Sequence, residues 1–219
     1  MPRPARTDGP AAAPSAARPW EVLLLGGSSG VGKSTVAREL AQRFGVAWSQ
    51  VDGHRLLLAR ATTAETHPAL HADCAADAPD ALSAEALCAR WIEVARCMSA
   101  ALEVVIALHA ATRASMVLEG DTLVPALAAQ RVFDGVPVGR RVRAVYLWEP
   151  DETCLRARYL ARGRGFQWLT AAQQSREVRR SWLYGCWLRD EAERRGVPVV
   201  PAGESAAATA ARVVSRLGA

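Results

Sequence analysis

At 219 residues the chain is long enough for one α/β domain with a generous core, or such a core with a small lid. Half of the residues are apolar and 22% are charged, which is ordinary globular composition, and no apolar run approaches the ~18 residues that span a bilayer as a helix. The net charge of +5 is carried by arginine apart from the single lysine, Lys33, so overall basicity argues little for nucleic acid; residues 151–195, with ten Arg against six acids, point instead to a local anionic ligand.

Residues 1–19, rich in Pro, Ala and Arg without a continuous apolar stretch, predict a disordered leader rather than a secretory signal. Glu21–Leu25 reads as a buried parallel strand ending in two glycines. From Lys33 to Phe44, Val36, Ala37, Leu40, Ala41 and Phe44 recur at helical spacing, and Gly45 ends the helix. Val46–Val51 predicts a second strand closing on Asp52, followed by a helix over 54–61 and a loop over 62–82 containing Pro68 and Pro79. Ser83 opens one long helix to about residue 111, with Leu87, Trp91, Val94, Met98, Leu102, Val105 and Leu108 on its apolar face.

Ser115–Leu118 predicts a third strand, followed by a short helix near 122–130, and Val142–Trp148 a fourth strand. Helices over Glu152–Ala161 and about Thr170–Arg195 flank an RGRGF turn; Val197–Val200 is a last strand before a helix near 204–217. Strands alternating with helices imply a parallel sheet covered on both faces, with ligands at the carboxyl ends of its strands. Asp52, Glu119, Asp121 and Glu149 fall at such ends. The cysteines (Cys74, Cys88, Cys97, Cys154, Cys186) are odd in number and contain no CxxC pair, which predicts reduced thiols and a cytoplasmic protein. His67, His71, Asp73 and Cys74 lie close in sequence, but Pro68 interrupts a continuous helix and no second cluster completes a zinc site.

The run Gly27-Ser28-Ser29-Gly30-Val31-Gly32-Lys33-Ser34 fits G-x-x-x-x-G-K-[ST] without a departure and lies between an apolar strand and an amphipathic helix. The glycines let successive backbone N–H groups curl toward phosphate oxygens, and the helix start adds partial positive charge. Lys33 reaches the β- and γ-phosphates, Ser34 is a magnesium ligand, and Thr35 is placed toward the α-phosphate. This motif predicts binding of a nucleoside triphosphate, ATP with Mg2+ as the expected pair. Switch GTPases need a second lysine for their base-reading motif, which this chain lacks; ring and motor ATPases need a strand ending Asp-Glu and a second domain, and here the fourth strand ends Trp148-Glu149-Pro150-Asp151.

What remains resembles the small-molecule and nucleotide kinases of the P-loop class, of the shikimate-, gluconate- and adenylate-kinase-like kind, together with 2-phosphoglycerate-kinase-like proteins. The resemblance covers residues 20–202 and rests on GGSSGVGKST, the strand-ending Asp52, VLEGD at 117–121 and RARYLARGRGF at 156–166. It implies a three-layer P-loop sandwich over residues 20–219, with a five-stranded parallel sheet in the order 2-3-1-4-5, an acceptor-side insertion at 62–113 and a small helical Arg-rich lid at 156–170. The implied activity is Mg-assisted transfer of the γ-phosphoryl group of ATP to a hydroxyl of a small metabolite or natural product.

On this resemblance Asp52 contacts the acceptor hydroxyl, while its position also suits capping of the next helix. Glu119 is the second acid, holding metal with Ser34 or gripping substrate; Asp121 either binds substrate or caps a helix. Arg158, Arg162 and Arg164 bracket the Gly163/Gly165 turn and close over the transferred phosphoryl group, Arg55 anchors an anionic acceptor, and Trp168 contacts substrate. Pro201-Ala202-Gly203 packs against the base, and the other tryptophans, Trp91 among them, serve the core. A nucleotide-hydrolysing regulatory or assembly protein and a polynucleotide 5′-hydroxyl kinase stay open as alternatives; nucleic acid lacks a clear basic groove outside the lid, no membrane contact is expected, and the oligomeric state is unread.

Overall fold

The computed structural model describes residues 18–72, 82–163 and 165–218. Arg164 of the predicted lid, Asp73 and Cys74 of the considered metal cluster, and residues 1–17 of the predicted leader lie outside them. The central parallel sheet contains β1 (Val22–Gly27), β2 (Ala47–Gln50), β3 (Met116–Gly120), β6 (Val142–Trp148) and β7 (Val199–Pro201), in the order β2-β3-β1-β6-β7. The fourth and fifth places of the expected order are thus filled by β6 and β7. A two-residue hairpin that the sequence did not reveal, β4 (Val132–Phe133) with β5 (Val136–Pro137), precedes them and shifts the numbering.

Alternate residues of β1 go to opposite faces, and each face has its own core. Val22 and Leu24 join Leu118, Ala144 and Tyr146 beneath α5 (Ser99–Thr112) and α8 (Ala171–Arg194). Leu23 and Leu25 join Val117, Val145 and Leu147 beneath α1 (Lys33–Phe44) and α9 (Ala206–Gly218). A strand buried on both faces reads as an unbroken apolar run, as Val22–Leu25 does. Each buried Leu or Val stabilises by roughly 1.5–3 kcal/mol relative to exposure, so burial on both faces holds this central strand firmly.

Three elements depart from the sequence reading. The second strand stops at Gln50, and α2 (Val51–Ala61) begins at once, so Asp52 lies in the first helical turn instead of ending a strand. Val51 is fully buried against β3, and a Cβ on Gly120 would meet its Cγ2 at 1.9 Å; glycine there lets α2 start directly over the sheet. The predicted single helix over 83–111 is two, α4 (Ala84–Cys97) and α5, bent by 43° at Met98, whose buried side chain packs at the elbow. The 62–82 loop contains one helical turn, α3 (Pro68–His71). No single helix among the described residues is long and apolar enough to cross a membrane.

The lid region has a small core of its own. In α7 (Glu152–Arg162), Leu155 and Tyr159 pack on Phe166 of a 3-10 turn (Phe166–Trp168) and on Val178 of α8. α8 opens with a capping box between Thr170 and Gln173, fixing where the lid turn ends.

Candidate active site

The loop from Gly27 to Gly32 leaves β1 and enters α1 with three glycines at positive φ: Gly27 at 145°, Gly30 at 82° and Gly32 at 98°. No side chain caps α1 and no acid occupies its first turn, so its first N–H groups and positive pole face outward for an anion. Two of the loop's glycines serve different needs. Gly32 has open space around it and is required for its φ, whereas a Cβ on Gly30 would also strike the Tyr159 ring at 2.6 Å. α8 braces the loop from the other side, with Ser181 donating to the Ser29 carbonyl at 2.7 Å. Lys33, largely buried, folds its ammonium back to the Ser28 carbonyl at 2.9 Å.

Beside the loop, Ser34 Oγ donates to Glu119 Oε1 at 2.7 Å, and Gln50 Nε2 donates to the same oxygen at 2.8 Å and to Ser34 Oγ at 3.0 Å. Glu119, the penultimate residue of β3, lies between β1 and β2, which explains the convergence: its register partners are Leu25 and Gln50. It is only 2% exposed and makes no ion pair among the described residues. A buried carboxylate held only by a hydroxyl and an amide carries an uncompensated charge, which is costly without a cation. Hydroxyl and carboxylate oxygens are the donors that suit Mg2+, which also keeps waters and phosphate oxygens in its shell. The residues therefore fit the metal that the loop motif implies, in the predicted pair Ser34 and Glu119.

A cleft of about 430 Å3 runs along the loop, lined by Gly30, Gly32 to Thr35, Arg38, Arg158 and Arg162. It continues into a pocket of about 170 Å3 between Gly32, Thr35, Arg158 and residues 203–206, at the loop after β7. The two predicted lid arginines that are described have different surroundings. Arg158 pairs with the buried Glu149 at 2.7 Å and donates to the carbonyls of Val31 at 3.0 Å and Gly203 at 3.3 Å. It ties the glycine-rich loop, the end of β6 and the loop after β7 together. Arg162 makes one long contact, 3.4 Å to Ser29 Oγ, and otherwise faces the cleft. Trp168 is 84% exposed on the 3-10 turn and lines neither pocket.

Opposite the lid, Asp121 sits after β3 with its Oδ1 buried and unpartnered. Capping is not its role, since α6 (Pro125–Ala128) is capped from Val124 without a side chain. Burial pushes the Asp121 pKa up, a shift that Lys33 opposes and Asp52 reinforces; Arg180 and Arg55 also lie within electrostatic reach. Asp52 is exposed in the first turn of α2, where an acid suits the helix dipole, and it does not cap the helix. Arg55 and Arg180 lie over the Trp91 ring of α4, their guanidinium carbons 5.6 Å and 5.3 Å from its centroid. Trp91 packs against the main core, as its helical spacing suggested, and its Nε1 is buried without a partner, as is the Nδ1 of His54 on α2.

Sequence reasoning missed Gln50, Arg180, Ser181 and the pairing of Glu149 with Arg158. Gln50 and Ser181 carry no motif signal. Glu149 stood at a strand end, the one clue available, while Arg180 looked like one of many helix-surface arginines. Of the considered metal cluster, His67 and His71 interact with the hydroxyls of Thr66 and Thr62, while Asp73 and Cys74 lie outside the described residues.

No protein-family model matches this sequence, and no curated protein does. Solved structures do. A gluconokinase from Sinorhizobium meliloti 1021 is 17% identical, covering 92% of this chain and 94% of that chain at a TM-score of 0.53. A sugar kinase from Janibacter sp. HTCC2649 is 18% identical, covering 91% and 95% at a TM-score of 0.51. The strand order, the glycine-rich loop between β1 and α1 and these two likenesses agree: the chain has the fold of the P-loop kinases.

Proposed function

We propose that this protein is a kinase that transfers the γ-phosphoryl group of ATP to a hydroxyl of a small metabolite or natural product, with Mg2+ as cofactor. The observation that carries this reading is Asp121, an unpartnered buried carboxylate oxygen within electrostatic reach of the phosphate-binding Lys33. Holding a triphosphate requires the loop and Lys33. Moving its last phosphoryl group to an alcohol also requires somewhere for the alcohol's proton to go, and an unpartnered carboxylate oxygen is available to accept it.

The chain's own residues divide the work accordingly. Backbone N–H groups of Gly30 to Thr35 and the ammonium of Lys33 bind the β- and γ-phosphates. Ser34 and Glu119 hold the magnesium ion, which when bound neutralises phosphate charge, and Gln50 keeps both oxygen donors oriented. Asp52 positions the acceptor hydroxyl, and Asp121 takes its proton. Arg158 fixes the floor of the nucleotide cleft through Glu149. Arg162, with Arg164 beyond the Gly163 hinge, closes over the phosphates and excludes water. Arg55 offers a charge to the acceptor, and Trp168 covers it on closure. The pocket beside residues 203–206 receives the base, which its backbone groups read as adenine.

The test is a phosphorylation screen of a metabolite pool with γ-labelled ATP, comparing the intact protein with Lys33→Ala and Asp121→Asn. A labelled small product that disappears in both variants is the expected result. Brisk ATP hydrolysis with no acceptor, stimulated only by another protein, would overturn the reading in favour of a regulatory ATPase.

A further inference from the structure

The opposite pole of the sheet, where the strands begin, carries a second concentration of charge that the proposed reaction does not use. A cavity of about 120 Å3 is lined by four arginines from four separate places: Arg131 after α6, Arg143 near the start of β6, Arg195 at the end of α8 and Arg216 in the last turn of α9. The remaining lining is apolar or glycine, with no acidic side chain. Arg143, Arg131 and Arg216 have no acidic partner among the described residues, and the Nε of Arg143 is buried without any partner.

Ordinary causes account for part of this charge. Arg195 is paired with Glu191 at 2.5 Å. Arg195 and Arg216 also sit at helix C-termini, where each negative pole offsets about half a charge. Arg131 and Arg143 lie on no helix and receive neither compensation. An excess of about two positive charges remains around a single concavity. Guanidinium groups crowded together repel one another and gain most from a planar or tetrahedral oxyanion that they can grip together.

We propose that Arg131, Arg143, Arg195 and Arg216 form a second anion site, which takes the phosphate group of a small phosphorylated ligand. The cavity is the size of about four waters, enough for one phosphate group and too small for a nucleotide. A single small pocket also disfavours a polynucleotide, whose backbone needs a track of charge. The remainder of the ligand lies outside, over Arg216 and the neighbouring groove of Pro201, Arg212 and Ser215. The site joins the C-terminal end of α9 to the Gly196–Pro198 turn before β7, whose far end leads to the base-side loop.

The experiment titrates inorganic phosphate into the full chain by calorimetry after saturating the P-loop with magnesium-ADP. One further equivalent of phosphate is expected, with affinity at least tenfold weaker in the surface variant Arg131→Ala/Arg216→Ala and in Arg143→Gln. Thermal melts identify any variant that has lost its fold, and the surface pair stands on exposed positions. Lys33→Ala is expected to keep the site. No phosphate uptake beyond the filled P-loop overturns the proposal, as does uptake that Lys33→Ala removes and the arginine variants spare. A single-stranded oligonucleotide without terminal phosphates that displaces phosphate, and binds more tightly with length, overturns the small-ligand assignment.

Discussion

Around the phosphate loop, the groups facing a ligand come from nine consecutive residues, and most are main-chain N–H. Across the cleft, the proposed acceptor side gathers Asp52 and Arg55 from α2, Asp121 from the turn after β3, Trp91 from α4 and Arg180 from α8, four separate stretches of the chain. The phosphate side is rigid because its geometry is a property of the backbone, braced by Tyr159 and Ser181. The acceptor side is set by how three helices pack and can change its chemistry one side chain at a time.

This contrast can be broken in several ways. Lys33→Ala should lower phosphoryl transfer about a thousandfold while the protein stays folded, measured with γ-labelled ATP and circular dichroism. A smaller loss with unchanged nucleotide affinity would mean that backbone groups alone hold the phosphates. Glu119→Gln should cost about a hundredfold and raise the Mg2+ concentration needed for half activity. Gln50→Ala should cost about tenfold in the same titration, because it orients the donors without being one.

Arg158 and Arg162 should separate on stability. Arg158→Ala leaves Glu149 buried and unpaired, and should lower unfolding free energy by about 2 kcal/mol, discounted for the partial exposure of the arginine. Adding Glu149→Gln should recover part of it. Arg162→Ala should stay within about 0.5 kcal/mol and show its effect in turnover alone. Equal melting shifts in the two variants would erase the distinction between a structural and a closing arginine.

Asp121 makes a pH-dependent prediction. Burial holds its folded pKa above the ordinary value of 3.8, so its contribution to stability is fully present below that pH and is lost as pH rises through the folded value. Asp121→Asn should therefore be more stable than the parent at neutral pH, with the advantage fading as pH falls toward 3.8. In the parent, the acid limb of kcat/KM should lie above the usual aspartate range. The smallest effect is Trp168→Ala, which should leave stability within about 0.5 kcal/mol and raise only the acceptor KM, read from steady-state kinetics.

How far the sequence was legible follows the same division. The strand-loop-helix from Val22 to Phe44 could be read because apolar periodicity, glycine chemistry and one lysine all fall within a short stretch. Glu119 could be read because strand ends in a parallel sheet face the ligand. The break at Met98 could not, since α4 and α5 share one continuous apolar pattern and only their packing under the sheet bends them. Asp52 was placed at a strand end because Val51 reads as the last β-branched residue of a strand; its burial over Gly120 makes it the first residue of a helix.

By itself, then, the sequence determined the parallel sheet and the phosphate cradle, because both are encoded by residues close together in the chain. Tertiary structure alone decided the addition of Gln50 to the pair Ser34 and Glu119, the burial of Asp121 Oδ1 among distant charges, and the gathering of four arginines around one cavity at the far pole. These depend on contacts between residues tens of positions apart, where a local pattern carries no information and the packing of helices on the sheet sets every distance.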